Sequence, residues 1–366
     1  MGLKQALTKP LITRSPLINS QFKTLTTSTE TRVLSGIQPT GGLHLGNYYG
    51  AIKNWVKLQE GSDSNTKLFY SIVDLHALTI PNYNNYQALE ENILELTATL
   101  LACGIDPKKV TLFLQSKIPQ HTQLLWVLSC LTPFGNLSRM TQFKVKSQAE
   151  EEKKKMIGLG LFSYPVLQAA DILVYKATHV PVGEDQRQHL ELSREIATKF
   201  NALVKKNYFD LPKDIYNTGS KIQSLTKPEN KMSKSDPNIN SCIYFKDEEK
   251  VIRSKIKKAL TDNEIGISYD PINRKGVSNL IQLLATSTNQ EINIIVNKYQ
   301  SYSMGKFKGE VADAIINEIN PFQKEYFKLI QDKQYLKSVL TLGSQKAEEH
   351  ASITIEEIYQ LIGLKI

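Results

Sequence analysis

The chain is sparing with the residues that mark extracellular, membrane and metal-binding proteins. Its 366 residues include three cysteines, Cys103, Cys130 and Cys242, odd in number and far apart. They form neither a disulfide framework nor zinc spacing, so a reducing compartment with the thiols as small core residues is expected. No apolar run approaches the roughly 20 residues that cross a bilayer, and no membrane partner is expected. The dinucleotide fingerprint G-x-G-x-x-G does not occur, and there is no internal repeat. One absence is local: residues 1–29 contain no Asp or Glu. They carry Lys4, Lys9, Arg14 and Lys23, are rich in Ser and Thr, and run into TLTTSTE. Basic, hydroxyl-rich and acid-free is the composition of an organelle transit peptide. Residues 1–29 are therefore expected to be a presequence directing the chain to the mitochondrial matrix. Pro10 and Pro16 limit any helix there to short pieces.

The composition of the whole chain is ordinary for a soluble protein: 41% hydrophobic, 22% charged, net charge +9 with +4 of it in the first 29 residues. The length suits two domains, or one large domain with an appendage. From residue 32 to about 200, strand and helix signals alternate. KLFYSIVDLHALT, VTLFLQS and HVPVG read as strands, while NYQALEENILELTATLLACG, TQLLWVLSCL and RQHLELSREIATKFNALV read as helices. Alternation of this kind implies βαβ units and a parallel sheet, with ligands at the C-terminal strand ends. From about residue 247 the strand signals fade. DEEKVIRSKIKKAL, SNLIQLLATST, EINIIVNKY, KGEVADAIINEI and PFQKEYFKLIQDKQYLKSVL all read as helices. The fold class is thus α/β followed by a helical region, with boundaries at 30–235 and 246–366.

Two clusters carry chemistry. The first is GIQPTGGLHLGN, residues 36–47, between a strand and a helix start. Glycines let backbone approach a ligand, and a helix N-terminus offers free N–H groups to an anion. It is a near miss for a phosphate-binding loop: Gly41 and Gly46 are spaced correctly, but Asn47 and Tyr48 stand where Lys and Ser/Thr would be. The cations must come from elsewhere. The second cluster, NKMSKSDPN at 230–238, supplies Lys231 and Lys234 on a donor-rich loop.

Together these clusters resemble the two signatures of class I aminoacyl-tRNA synthetases. GIQPTG-x-x-H-x-GN, MTQFK-x-KS, YPVLQAADIL, VPVGEDQ-x-QH and KMSKSDPN, in this order, narrow the resemblance to the tryptophanyl enzymes of bacteria and organelles, from about Arg32 to the C-terminus. Asn47 stands where the final His of the general class I motif would be, a substitution usual in this family. The resemblance implies a Rossmann-like catalytic domain ending in the KMSKS loop, then a helical anticodon-binding domain. It also implies a homodimer, with L-tryptophan, ATP with Mg²⁺ and tRNA(Trp) as substrates. Magnesium would arrive with ATP, held mostly by phosphate oxygens and water, and no set of His, Cys and carboxylates suggests a dedicated metal site.

By the same resemblance, Gln38, Pro39 and Thr40 border ATP, Gly46 and Asn47 lie under adenine and phosphates, and His44 faces the phosphates. Gly183, Glu184 and Asp185 form a strand-end turn, Asp185 accepting from the ribose, and Ile222 lends backbone to adenine. Lys231 and Lys234, with Met232, Ser233 and Ser235 between and after them, hold the β- and γ-phosphates. Lys146 is a third cation, with Gln142 near it.

Spacing speaks to the amino acid. Tyr164, Gln168 and Asp171 are four and three residues apart, one face of a helix, with Ile172 beside them. Indole has a single polar group, an N–H donor. Asp171, the lone carboxylate in an apolar stretch, suits it as acceptor. The family usually has Met where Gln168 stands. Val180 and Val182 line the apolar part, and Gln186 and His76 are expected at the amino-acid end. The rival readings are a tyrosyl enzyme, a nucleotidyltransferase sharing the first turn, and a tRNA-binding protein without catalysis. A phenol hydroxyl would need a second polar partner, and the GIQPTG turn also counts against tyrosine.

Overall fold

The computed structural model describes residues 30–79, 88–152, 154, 156–183, 186–216, 222–234 and 236–364. Residues 1–29, expected to be a transit segment, and three expected site residues, Glu184, Asp185 and Ser235, lie outside the described residues.

Five parallel strands form one sheet in the order β3-β2-β1-β4-β5. They are β1 (Thr31–Ile37), β2 (Thr66–Ile72), β3 (Thr111–Leu114), β4 (His179–Val182) and β5 (Lys213–Tyr216). The order reverses between β1 and β4, so a crevice opens beyond Ile37 and Val182. Helices in this part are α1 (Leu45–Asn47), α2 (Lys53–Gly61), α3 (Asp74–Ala77), α4 (Ala88–Ala102) and α5 (Gln120–Leu131). They continue with α6 (Phe134–Ser138), α7 (Thr141–Glu152), α8 (Leu159–Val174) and α9 (Arg187–Leu203). A π-helical turn, Tyr48–Ile52, joins α1 to α2.

Beyond the KMSKS loop come α10 (Glu249–Lys258), α11 (Lys275–Thr288), α12 (Ile292–Tyr299), α13 (Met304–Leu329) and α14 (Lys333–Leu361). The change from strand to helix falls where the composition placed it. Packing nonetheless runs across that change, and Thr31–Ile366 is one compact unit. Val33, Tyr70 and Leu112 on one sheet face share a core with Leu280, Ile281, Ile315 and Ile319. On the other face, Leu34, Phe69 and Phe113 pack with α5, α8 and α9 and with Ala347, Ala351 and Ile355 of α14. Glu318 of α13 ties the two parts: its carboxylate accepts from the Tyr49 hydroxyl at 2.6 Å and from Lys53 at 2.8 Å.

Three expectations are corrected. β2 stops at Ile72, and DLHA forms the helical turn α3, because the Asp74 carboxylate accepts from the Ser116 N–H at 2.9 Å and turns the chain. KDIY forms a strand that the sequence pattern does not announce. The two helices separated at Pro321 are one helix, with the break instead after Leu329.

Candidate active site

A cavity of about 720 Å³ opens at the β1–β4 crevice. Its wall contains fourteen of the expected residues: Gln38, Gly46, Asn47, His76, Lys146, Tyr164, Gln168, Asp171, Ile172, Val180, Val182, Gly183, Gln186 and Lys231. The strands explain the gathering. β1 delivers the GIQPTGG turn and β4 delivers Gly183, while α8 lays Tyr164, Gln168 and Asp171 along one face. Gly46 is required by close approach: a Cβ there would stand 2.9 Å from Cε1 of His44 and 3.4 Å from Cβ of Met232.

The remaining described residues do not line the cavity. His44 caps α1, is buried, and its N–H donates to Asn47 Oδ1 at 3.4 Å. Burial, then the charges of Lys234 and Lys231, push its imidazole down to about 4, so at neutral pH it carries no charge. The Lys234 ammonium donates to the Gly41 carbonyl at 2.7 Å and to the Thr40 hydroxyl at 3.3 Å, strapping the KMSKS loop to the turn that Pro39 enters. Met232 and Ile222 are buried, and the Met232 N–H donates to the Ile222 carbonyl at 3.0 Å. The Ser233 carbonyl accepts from the Cys242 thiol at 3.0 Å.

Inside the cavity, Lys146 Nζ lies 4.8 Å from the centre of the Tyr164 ring, a cation–π distance. The Tyr164 hydroxyl donates to Gln142 Oε1 at 3.1 Å and sits 3.0 Å from His189 Nε2, whose Nδ1 meets Gln186 Oε1 at 2.9 Å. His76, expected at the amino-acid end, places Nε2 2.8 Å from Asp171 Oδ2. Asp171 is 4% exposed. Burial raises its carboxyl, but the charge and hydrogen bond of His121, with those of His76, outweigh it and bring the group down to about 2. It is an anion across the working pH range.

Sequence reasoning missed Gln115 and His121, which meet Asp171 from behind, and Tyr175, which holds His121. Gln115 and His121 lie 56 and 50 residues away, so no local pattern marks them. The basic helix VIRSKIKKAL is partly spoken for: Lys255 is buried against Asp247 at 2.7 Å, and Arg253 pairs with Glu249 and Asp313. A second groove, of about 440 Å³ at Asn136, Arg139, Arg187 and Arg194, contains none of the expected residues. Arg194 there is paired with Glu191 and Asp214.

The family model "tRNA synthetases class I (W and Y)" matches residues 26–320. The chain belongs to that family. Among its relatives, a tryptophan–tRNA ligase of Rickettsia conorii is 46% identical over 335 residues, 91% of this chain and 99% of the relative. One from Clostridium tetani is 47% identical over 332 residues, 90% of this chain and 95% of the relative. The tryptophanyl-tRNA synthetase of Mycoplasma pneumoniae superposes with a TM-score of 0.80 at 34% identity, covering 91% of this synthetase and 98% of that chain. The Campylobacter jejuni enzyme complexed with ADP and tryptophan gives 0.76 at 34% identity, covering 91% and 100%. A tyrosyl enzyme from Aeropyrum pernix gives 0.62 at 17% identity, a likeness of fold alone.

Proposed function

We propose that the protein activates L-tryptophan with ATP and transfers it to tRNA(Trp) for protein synthesis in the mitochondrial matrix. The observation that carries this reading is a single cavity with the buried anion Asp171 and the KMSKS cation Lys231 both in its wall. In the activation step a tryptophan carboxylate oxygen bonds to the α-phosphorus of ATP. The bond from that phosphorus to the bridging oxygen breaks, and pyrophosphate leaves with the electron pair. No protein nucleophile is needed, so the chain acts by positioning and by stabilising charge. Gln38, Gly46, Asn47 and Gly183 form the nucleotide end, and Ile172, Val180 and Val182 the apolar flank of the indole end. Mg²⁺ enters with ATP. Amino-acid-dependent ATP–pyrophosphate exchange, run separately with the twenty amino acids, tests the reading. Exchange with tryptophan alone is expected, and exchange with tyrosine would overturn it.

The active form is a homodimer. Trp126 and Phe134 are 73% and 74% exposed, and Met156 and Leu159 are exposed as well, on and between α5, α6, α7 and α8. Apolar exposure concentrated this way suits a protein interface. Sedimentation should give twice the chain mass, with Trp126→Glu shifting the protein to monomer. The presequence role of residues 1–29 is tested by fusing them to a reporter and following its import and cleavage by isolated mitochondria.

A further inference from the structure

Three donor nitrogens already hold the carboxylate of Asp171, of the about four acceptor positions that an ionised carboxylate offers. Oδ1 takes His121 Nδ1 at 2.5 Å and Gln115 Nε2 at 2.9 Å. Oδ2 takes His76 Nε2 at 2.8 Å and the same Gln115 nitrogen at 2.9 Å. These donors are not equivalent. Gln115 and His121 are fully buried and do not line the cavity, whereas His76 does.

His121 is itself held. Its Nε2 lies 2.8 Å from the hydroxyl of Tyr175, which is 1% exposed. Burial, then the charge of Asp171, raises that phenol well above its usual range, so it keeps its proton and can donate it. Nδ1 of His121 faces the carboxylate and donates to it, while the Tyr175 hydroxyl holds Nε2. A second ring nitrogen held in this way fixes the orientation of a histidine. Phe69 stacks on Tyr175 with ring centres 4.7 Å apart, so Tyr175 is clamped as well.

We propose that His121, backed by Tyr175, is a positioning residue that sets selectivity for a ring N–H, acting through Asp171. His121 and Gln115 hold the carboxylate from behind, and His76 covers it on the cavity side. The indole N–H takes the place of His76, the one donor that the cavity can reach. A ring of similar shape without an N–H displaces His76 and leaves a buried anion short of a donor, the costly case for any buried polar group. The inference rests on the reading of Asp171 as the indole acceptor.

The test is pyrophosphate exchange with tryptophan and with β-(3-benzothienyl)alanine, in which ring sulfur replaces the N–H. The wild type is compared with His121→Leu, His121→Asn, Tyr175→Phe and Asp171→Asn. Asn can present an N–H near the position of histidine Nδ1, and Leu cannot. His121→Leu should lower kcat/KM for tryptophan by about tenfold or more, the scale of one charge-assisted hydrogen bond. The sulfur analogue should change by less than about threefold, so selectivity falls. His121→Asn should restore most of the selectivity, and Tyr175→Phe should fall between. Equal losses on both substrates in His121→Leu, or selectivity that persists there while Asp171→Asn abolishes it, would overturn the role of His121 and leave the Asp171 reading intact. Selectivity unchanged in Asp171→Asn would overturn that reading itself. Should His121→Leu fail to fold, the Asn and Phe variants carry the same comparison.

Discussion

Replacing Lys231 with alanine lowers tryptophan-dependent pyrophosphate exchange by about 10²–10³-fold in kcat, the range for removing one preorganised donor to a developing charge. The reasoning starts from what the first turn lacks. GIQPTGGLHLGN presents backbone and neutral donors but no lysine. His44, the ionisable group of that turn, is held neutral by burial and by the two lysines beside it. Lys234 spends its donors on Gly41 and Thr40, and burial lowers its affinity for a proton. Lys231 is exposed and in the cavity wall. Charge on the leaving pyrophosphate therefore falls mainly to Lys231, with Lys146 also in the cavity wall, above Tyr164. Because the interaction strengthens as pyrophosphate leaves, kcat should fall while KM for tryptophan moves by less than about threefold. Steady-state exchange at saturating ATP measures both. A loss smaller than fivefold would transfer the role to Lys146 or Lys234.

The parts of this site legible in the sequence are those built from consecutive residues. A glycine-rich turn after a strand and a cation loop before a helical region carry their chemistry in their own composition. Helical spacing put Tyr164, Gln168 and Asp171 on one face, and α8 does so. Less legible is whatever depends on partners distant in the chain. Hydrophobicity could not show that Asp74 would bind the Ser116 N–H and end β2. KDIY is too short and too charged to announce a strand, and it is one because β4 pairs with it. Pro321 reads as a helix start, since proline breaks the i→i−4 ladder. The buried Ile315, Ile316, Ile319 and Tyr326 on either side hold α13 through it. The donors behind Asp171 belong to the same class. Gln115 comes from the turn after β3 and His121 from α5, and only the sheet brings them to α8.

That dependence on the sheet makes one glycine far from the cavity the most sensitive position for stability. Gly343 lies on α14 where this helix crosses β3. A Cβ there would stand 1.8 Å from the Leu112 carbonyl oxygen and 2.7 Å from its carbon. Both are backbone atoms of a strand paired with β2, so neither can step aside as a side chain would. The helix cannot lift either, because Val339, Leu340, Ala347, Ala351 and Ile355 are buried along it and Ser344 Oγ accepts from the Leu114 N–H at 3.3 Å. Gly343→Ala should therefore cost about 3 kcal/mol or more, the upper range for overpacking. Gly309, inside α13 with nothing within 4 Å of its added Cβ, provides the contrast: Gly309→Ala should stabilise by roughly 0.5–1 kcal/mol through helix propensity. Thermal melts of the two variants should move in opposite directions, and a Gly343→Ala melt within a degree or two of wild type would refute the close-packing argument. The functional consequence follows from chain order. Leu112 lies three residues before Gln115 and nine before His121, so a β3 displaced by a methyl group moves the donors that hold Asp171. Any Gly343→Ala protein that still folds should then discriminate less well between tryptophan and its sulfur analogue, although the substitution touches no substrate.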